Sequence, residues 1–222
     1  ALVTEVSRRP DDFSSWLGGT GMMSSDQEGL AVLRQIMINM DAPEHTRLRR
    51  ILQPIFTPKA VQRLNESIVL HSREIVDAVA ADGGCDLVLS ISSELPIRVL
   101  ADLFGMPYED RRVLFEWGNA LIGAEDPAFS DDPARAMTDM SAYGQEIAES
   151  RRAEPRDDMV SMIANAEVDG ERLTDLEFSL FWMLLVIAGN ETTRHSLSGG
   201  VLALDEHGVW GDLRDHRELL PT

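Results

Sequence analysis

Phe178-Ser-Leu-Phe-Trp-Met-Leu-Leu-Val-Ile-Ala-Gly-Asn-Glu-Thr-Thr-Arg194 is the most informative run in this 222-residue chain. Thr174-Asp-Leu-Glu177, just before it, has the spacing of a capping box, in which a hydroxyl and a carboxylate satisfy the first free backbone donors of a helix. The helix opened there is predicted to continue to about Glu206. Its middle, Phe178 to Gly189, is apolar on all sides, and such a helix runs through the centre of a protein. Gly189 interrupts that pattern. A glycine inside a helix costs about 1 kcal/mol relative to alanine, and it lets another group approach the backbone closely. Glu191, Thr192 and Thr193 follow at once, where the flanking pattern asks for apolar groups. One reading is that the helix simply reaches the surface at Glu191. The other is that it opens at glycine and presents a proton-handling pair beside a bound cofactor.

Outward from this helix the chain reads as nearly all-helical. Asp41, Pro43 and Glu44 have the form of a capped start for a helix that runs through Ile51 and ends near Pro54. Thr57-Pro58 begins another, carrying Val61, Leu64, Ile68, Ile75 and Val79 at helical spacing up to Gly83-Gly84. Asp86–Leu89 is predicted as a short strand. Helices follow over Ser92–Phe104, Asp110–Ile122, Ala134–Arg152 and Asp157–Ala166, with a last one over Val209–Leu219. Gly123–Pro133 is loop. So are most of the first 40 residues, which nonetheless carry the large apolar groups Phe13, Trp16, Met22 and Met23. Those groups either pin the loop to a core or line a pocket.

The charge balance is 20 Lys+Arg against 38 Asp+Glu, a formal net charge of −18. That argues against nucleic acid, whose phosphates are met by Lys and Arg, and against an anionic membrane face. The longest apolar run, Leu180–Gly189, is far short of the roughly 20 residues that span a bilayer. With no secretory pattern in Ala1–Pro10, a soluble cytoplasmic protein is expected. The single cysteine, Cys85, excludes an internal disulfide and a cysteine-rich zinc site. Against this acidic background, Glu44 to Arg63 holds Arg47, Arg49, Arg50, Lys59 and Arg63 with one acid. That local reversal of sign suits an acidic partner. Within it His45 and Arg49, four apart, share one helix face. A directed donor beside a planar guanidinium fork suits a carboxylate or phosphate. His207, Asp212 and His216 form a looser cluster that reads as solvated.

In this order and setting, the pieces resemble a bacterial cytochrome P-450, a haem-thiolate monooxygenase. Met40-Asp-Ala-Pro-Glu-His-Thr-Arg-Leu-Arg-Arg50 resembles the family's C helix. Thr57-Pro-Lys-Ala-Val61 is similar to the start of its D helix, and Leu95–Pro107 to its E helix and following turn. Ala188-Gly-Asn-Glu-Thr-Thr-Arg194 resembles the oxygen-binding stretch of its central I helix. The wording is closest to members that hydroxylate terpenoid or sterol side chains. The resemblance implies a mainly α, P-450-like helical fold. It implies that His45 and Arg49 bind haem propionates, that Ala188 and Gly189 lie at the cofactor, and that Gly189 leaves room for dioxygen. Glu191 and Thr192 would be the acid–alcohol pair that relays protons. It further implies a substrate pocket with Trp16, Met22 and Met23, a lid over Gly123–Pro133, and a ferredoxin-type electron donor docked on Arg47, Arg50, Lys59 and Arg63.

The sequence departs from the family pattern at the iron ligand. The family sets its cysteine in Phe-x-x-Gly-x-x-x-Cys-x-Gly, after the I helix. Cys85 lies before that helix, with Ala78, Ala81 and Leu87 at the Phe and Gly positions, so it is not the ligand. The family's later Glu-x-x-Arg is not in its place either. The spacing occurs at Glu5–Arg8, Glu44–Arg47, Glu109–Arg112, Glu149–Arg152 and Glu191–Arg194, none of which carries weight as that motif. The chain is therefore expected to be a single partial domain over residues 1–222, running from the B-helix region through the J helix. The N-terminal sheet and the haem-ligand region would lie outside it, and on its own it is expected to be inactive. Competing readings are a catalytically dead relative that serves as a binding module, and an acidic helical scaffold or regulator. A helical di-metal enzyme fails for want of paired Glu-x-x-His motifs.

Overall fold

The computed structural model describes residues 2–18, 27–123, 132–168 and 170–219. Their helices are α1 Leu2–Ser7, α2 Ser15–Gly18, α3 Gln27–Leu33, α4 Glu44–Leu52, α5 Pro58–Ala80 and α6 Glu94–Phe104. They continue as α7 Arg111–Ile122, α8 Pro133–Ala153, α9 Met159–Ala164, α10 Asp175–Glu206 and α11 Trp210–Asp215. A two-stranded hairpin, β1 Glu167–Val168 with β2 Glu171–Arg172, is paired antiparallel. None of these helices is long and apolar enough to cross a membrane.

Local chemistry sets most of the ends. Thr57 accepts from the Ala60 N–H at 3.4 Å, with Pro58 in the first turn of α5. Asp132 and Asp158 cap α8 and α9 in the same way. The box at Thr174 is complete: its hydroxyl accepts from Glu177 N–H, and Glu177 accepts from Thr174 N–H at 2.9 Å. Gly105 stops α6 at φ 63°, a left-handed conformation that costs glycine nothing.

Three local expectations give way. Asp41 does not cap α4; no side chain does. Its carboxylate instead accepts from the Ser14 hydroxyl and from Ser15 N–H at 3.0 Å, tying the start of α2 to the chain before α4. Asp86–Leu89 is not a strand. Asp86 accepts from Leu89 N–H at 2.8 Å and opens a wide helical turn, Val88–Ser92, that leads into α6. Nor are the first 40 residues mostly loop, since α1, α2 and α3 lie within them.

The core gathers around α10, which packs on α6, α7 and α8. Phe178, Trp182 and Val186, one turn apart, are fully buried. Trp182 meets Phe104 of α6 with ring centroids 4.6 Å apart. Its indole N–H donates to the Met140 carbonyl of α8 at 3.2 Å. The opposite side of α10 is not covered in the same way: Leu184 and Leu185 are half-buried and Ala188 is exposed. The all-round apolar pattern thus belongs to a helix that is packed on one side and open on the other.

Candidate active site

The open side of α10 forms one wall of an apolar recess of about 450 Å³. Leu185, Ala188, Gly189 and Thr193 line it from α10, and residues such as Val99 and Leu100 from α6. A Cβ on Gly189 would stand 2.8 Å from a Leu100 methyl, so the missing side chain is what admits α6 this closely. The helix does not open there. All 32 residues of α10 are continuous, and Thr192 donates its hydroxyl back to the Ala188 carbonyl at 2.6 Å, a bond helices tolerate with at most a bend.

Glu191 and Thr192 part company. Neighbours on a helix project about 100° apart. Thr192 is exposed beside Ala188, while Glu191 is 5% exposed and turned toward α7. Its carboxylate accepts from the Arg194 guanidinium and, at 3.3 Å, from the Asn190 side-chain amide. His195, exposed, stands 3.9 Å from it on the outer side. Burial pushes the Glu191 carboxyl above its ordinary value, and the positive charges of Arg194 and His195 offset that only in part. Arg194 was not among the residues the sequence singled out for chemistry. Its one sequence signal was the Glu-x-x-Arg spacing to Glu191, and of the five such spacings only this one joins its own two residues in an ion pair among the described residues.

On α4, His45 is half-buried and Arg49 exposed, on one face. Among the described residues Arg49 has no ion-pair partner. It lines a cavity of about 400 Å³ with Met37, Leu52, Gln53 and Phe56. Phe56 also lines the apolar recess at Ala188 and Gly189, so the cavity beside Arg49 and the apolar recess share that side chain as a wall. An anionic group fits Arg49 and His45, and an apolar one fits the recess. His45 also helps hold Asp41 in its charged form: the Ser14 hydroxyl bond chiefly keeps that carboxyl below the usual range.

The basic stretch is not uniformly free. Arg47 pairs with Glu177 of α10 at 2.8 Å, and Arg63 stands 3.8 Å from Asp157. Arg50 and Lys59 are exposed, without ion pairs among the described residues. Trp16 is 43% exposed on α2, stacked by the Arg34 guanidinium at 5.0 Å. Met22, Met23 and residues 124–131 of the expected lid lie outside the described residues. Cys85 is free and exposed after α5 and does not line the recess. The His216 ring bonds Glu218, and only its backbone N–H meets Asp212, at the carbonyl.

No protein-family model matches the chain. Among curated proteins it is 42% identical over 209 residues to the steroid C26-monooxygenase of Mycobacterium tuberculosis, covering 92% of this chain and 48% of that protein. It is 38% identical over 208 residues to the methyl-branched lipid omega-hydroxylase of the same organism, covering 91% and 48%. Among solved structures, a Mycobacterium marinum cytochrome P450 in complex with pseudoionone superposes with a TM-score of 0.81 at 34% identity, covering 91% of this chain and 51% of that one. A Bacillus megaterium cytochrome P450 in complex with testosterone gives 0.72 at 32% identity, covering 84% and 51%. The chain thus spans about half the length of the relatives it matches. Helix order, the recess against α10 and the likeness to these proteins in sequence and in fold agree: the chain belongs to the bacterial cytochrome P-450 family.

Proposed function

We propose that the chain forms the part of a haem-dependent monooxygenase that carries the central helix, and that the whole protein hydroxylates a hydrophobic small molecule. The observation that carries this is the apolar recess at Ala188 and Gly189 beside a cavity that shares Phe56 with it and is lined by Arg49, which has no ion-pair partner among the described residues. The named activities of the relatives support it. Arg49, with His45 beside it, would bind the haem carboxylates, and the Ala188–Gly189 wall would exclude water from the porphyrin. Bound haem supplies one-electron chemistry and dioxygen activation. Thr192 Oγ holds a proton on the open side of α10, now directed at the Ala188 carbonyl. Glu191 holds or releases one on the α7 side, so the two act as separate proton positions rather than as a touching pair. The substrate class favoured is a steroid or a methyl-branched lipid. A ferredoxin-type donor would meet the exposed Arg50 and Lys59, with Arg47 and Arg63 flanking.

The test uses the whole protein with haem. A steroid and a methyl-branched fatty acid should each be assayed for a shift of the haem Soret band and for oxygen-dependent hydroxylated product. Binding without product from either would leave only a binding module, and no response to either would remove the substrate class. The 222 residues alone, given haem, reductant and carbon monoxide, should show no red-shifted thiolate-type band, because Cys85 is outside the recess. Appearance of that band would overturn the fragment reading.

A further inference from the structure

The Glu191–Arg194 pair is buried against α7 by three residues on one face of that helix. Phe115 lies under the Arg194 guanidinium at 5.2 Å. Gly118 leaves space for the carboxylate, since a Cβ there would stand 2.7 Å from Glu191 Oε1. Asn119 accepts the other arm of Arg194 through its side-chain oxygen at 2.7 Å. Positions 115, 118 and 119 recur as neighbours on a helix surface, so α7 presents a shaped socket. A buried ion pair is weak evidence for stability, because desolvation offsets the Coulomb gain. A socket that orients the pair at both ends, through Asn119 on the cation and Gly118 on the anion, calls for a reason other than packing.

We infer that Arg194 and Asn119 are positioning residues that fix the orientation of the Glu191 carboxylate and its readiness to lose a proton. This rests on the proton role proposed above for Glu191. Asn119 matters through Arg194: it anchors one arm of the guanidinium so that the other stays on the carboxylate. The charged groups that act on Glu191 are Arg194 and His195, both on α10. From α7 its neighbours are the uncharged Gly118 and, through Arg194, Phe115 and Asn119. Burial alone favours the protonated form, so whatever weakens the Arg194 contact should make Glu191 hold its proton more tightly.

The experiment follows the Glu191 carboxyl directly in the full chain. Side-chain carboxyls of glutamate are labelled with carbon-13 and titrated by NMR, with E191Q assigning the resonance. Relative to wild type, R194M should raise the proton affinity of Glu191 about tenfold or more, one pKa unit. N119A, which keeps both charges, should raise it by a smaller factor, and R194K should recover part of the R194M change. A purely structural role predicts loss of stability with no ordered series in the titration. Equal titration in wild type and N119A would remove Asn119 from the assignment, and equal titration in R194M would overturn it altogether. Should R194M not fold, the N119A and R194K titrations decide alone. In the whole haem protein, the pH–rate profile of N119A should move in the same direction as its titration. A moved titration with an unmoved profile would uphold the positioning and refute the proton role of Glu191, which keeps the two failures apart.

Discussion

Gly144 and Gly199 both become alanine in a helix, and the structure predicts opposite signs for the two. Gly144 sits on α8, buried under the Trp182 indole. A Cβ there would stand 2.6 Å from Cδ1 and 2.9 Å from Nε1 of that ring. The indole cannot yield easily, because Phe104 and Tyr143 pack on it and its N–H is committed to Met140. Overpacking of this kind costs about 1–3 kcal/mol, and weakening the indole hydrogen bond adds about 1 kcal/mol. The better helix propensity of alanine returns about 1 kcal/mol. The net expected for Gly144→Ala is a loss of about 1–3 kcal/mol. Gly199 lies on α10, exposed, and its new Cβ meets nothing within 4 Å. Gly199→Ala therefore keeps only the propensity term, a gain of about 0.5–1 kcal/mol. With a urea slope of about 2 kcal/mol/M, the midpoint should fall by roughly 0.5–1.5 M for Gly144→Ala and rise by a few tenths for Gly199→Ala. The assay is urea unfolding read by tryptophan fluorescence and far-ultraviolet circular dichroism together. An unchanged or higher midpoint for Gly144→Ala, at equal slope, would refute the contact between α8 and α10 on which the reasoning stands.

Other outcomes follow from the same contacts. Thr174→Ala removes the hydroxyl half of the α10 capping box, leaving the backbone N–H bond to Glu177, and should cost about 0.5–2 kcal/mol, seen as a lower urea midpoint; no change would mean the start of α10 does not depend on that hydroxyl. Arg47→Met breaks a partly exposed tie between α4 and α10 and should cost under about 1 kcal/mol. The difference from wild type should shrink in high salt, and a loss that salt leaves untouched would contradict an electrostatic origin. Ser14→Ala removes the main bond holding the Asp41 carboxyl below its usual range. A depressed carboxylate stabilises the fold above its unfolded pKa and loses that contribution as pH falls through its folded pKa. Asp41 should then titrate at higher pH in Ser14→Ala, read by NMR at its carboxyl carbon, and the contribution should fade earlier on acidification. An unmoved Asp41 titration would argue against the Ser14 bond.

Much of the fold was legible in local sequence because its signals are local. Thr57-Pro58, Thr174 with Glu177, and Gly105 each act within one turn of backbone, and each is where the structure starts or stops a helix. The signal at Asp41 was equally strong and misled. A carboxylate has several acceptor positions, and Ser14 and Ser15, distant in sequence, took them. At the candidate site, the sequence named Gly189, Glu191 and Thr192 from their intrusion into an apolar run. It could not tell that Gly189 receives Leu100 or that Glu191 and Thr192 face different neighbours, because those facts depend on where α6 and α7 lie. Arg194 and Asn119 escaped notice for the same reason. Asn119 lies 75 positions from Arg194, and nothing in its own surroundings marks it as an acceptor.

The sequence by itself determined that the chain is helical and acidic, that one apolar helix organises it, and that its motifs are those of the P-450 family. The first two follow from periodicity, capping and composition, which any short window of residues carries, and the last from the resemblance of its motifs to those of the family. Only the tertiary structure decided which side of that helix is covered. It also decided that Arg49, without an ion-pair partner among the described residues, lines a cavity that shares Phe56 with the recess while Arg47 is held by Glu177, and that Glu191 is clamped against α7. The physical reason is that burial and pairing are properties of approach between distant segments. A carboxylate's desolvation and its counter-ion depend on those approaches, and no local pattern encodes them.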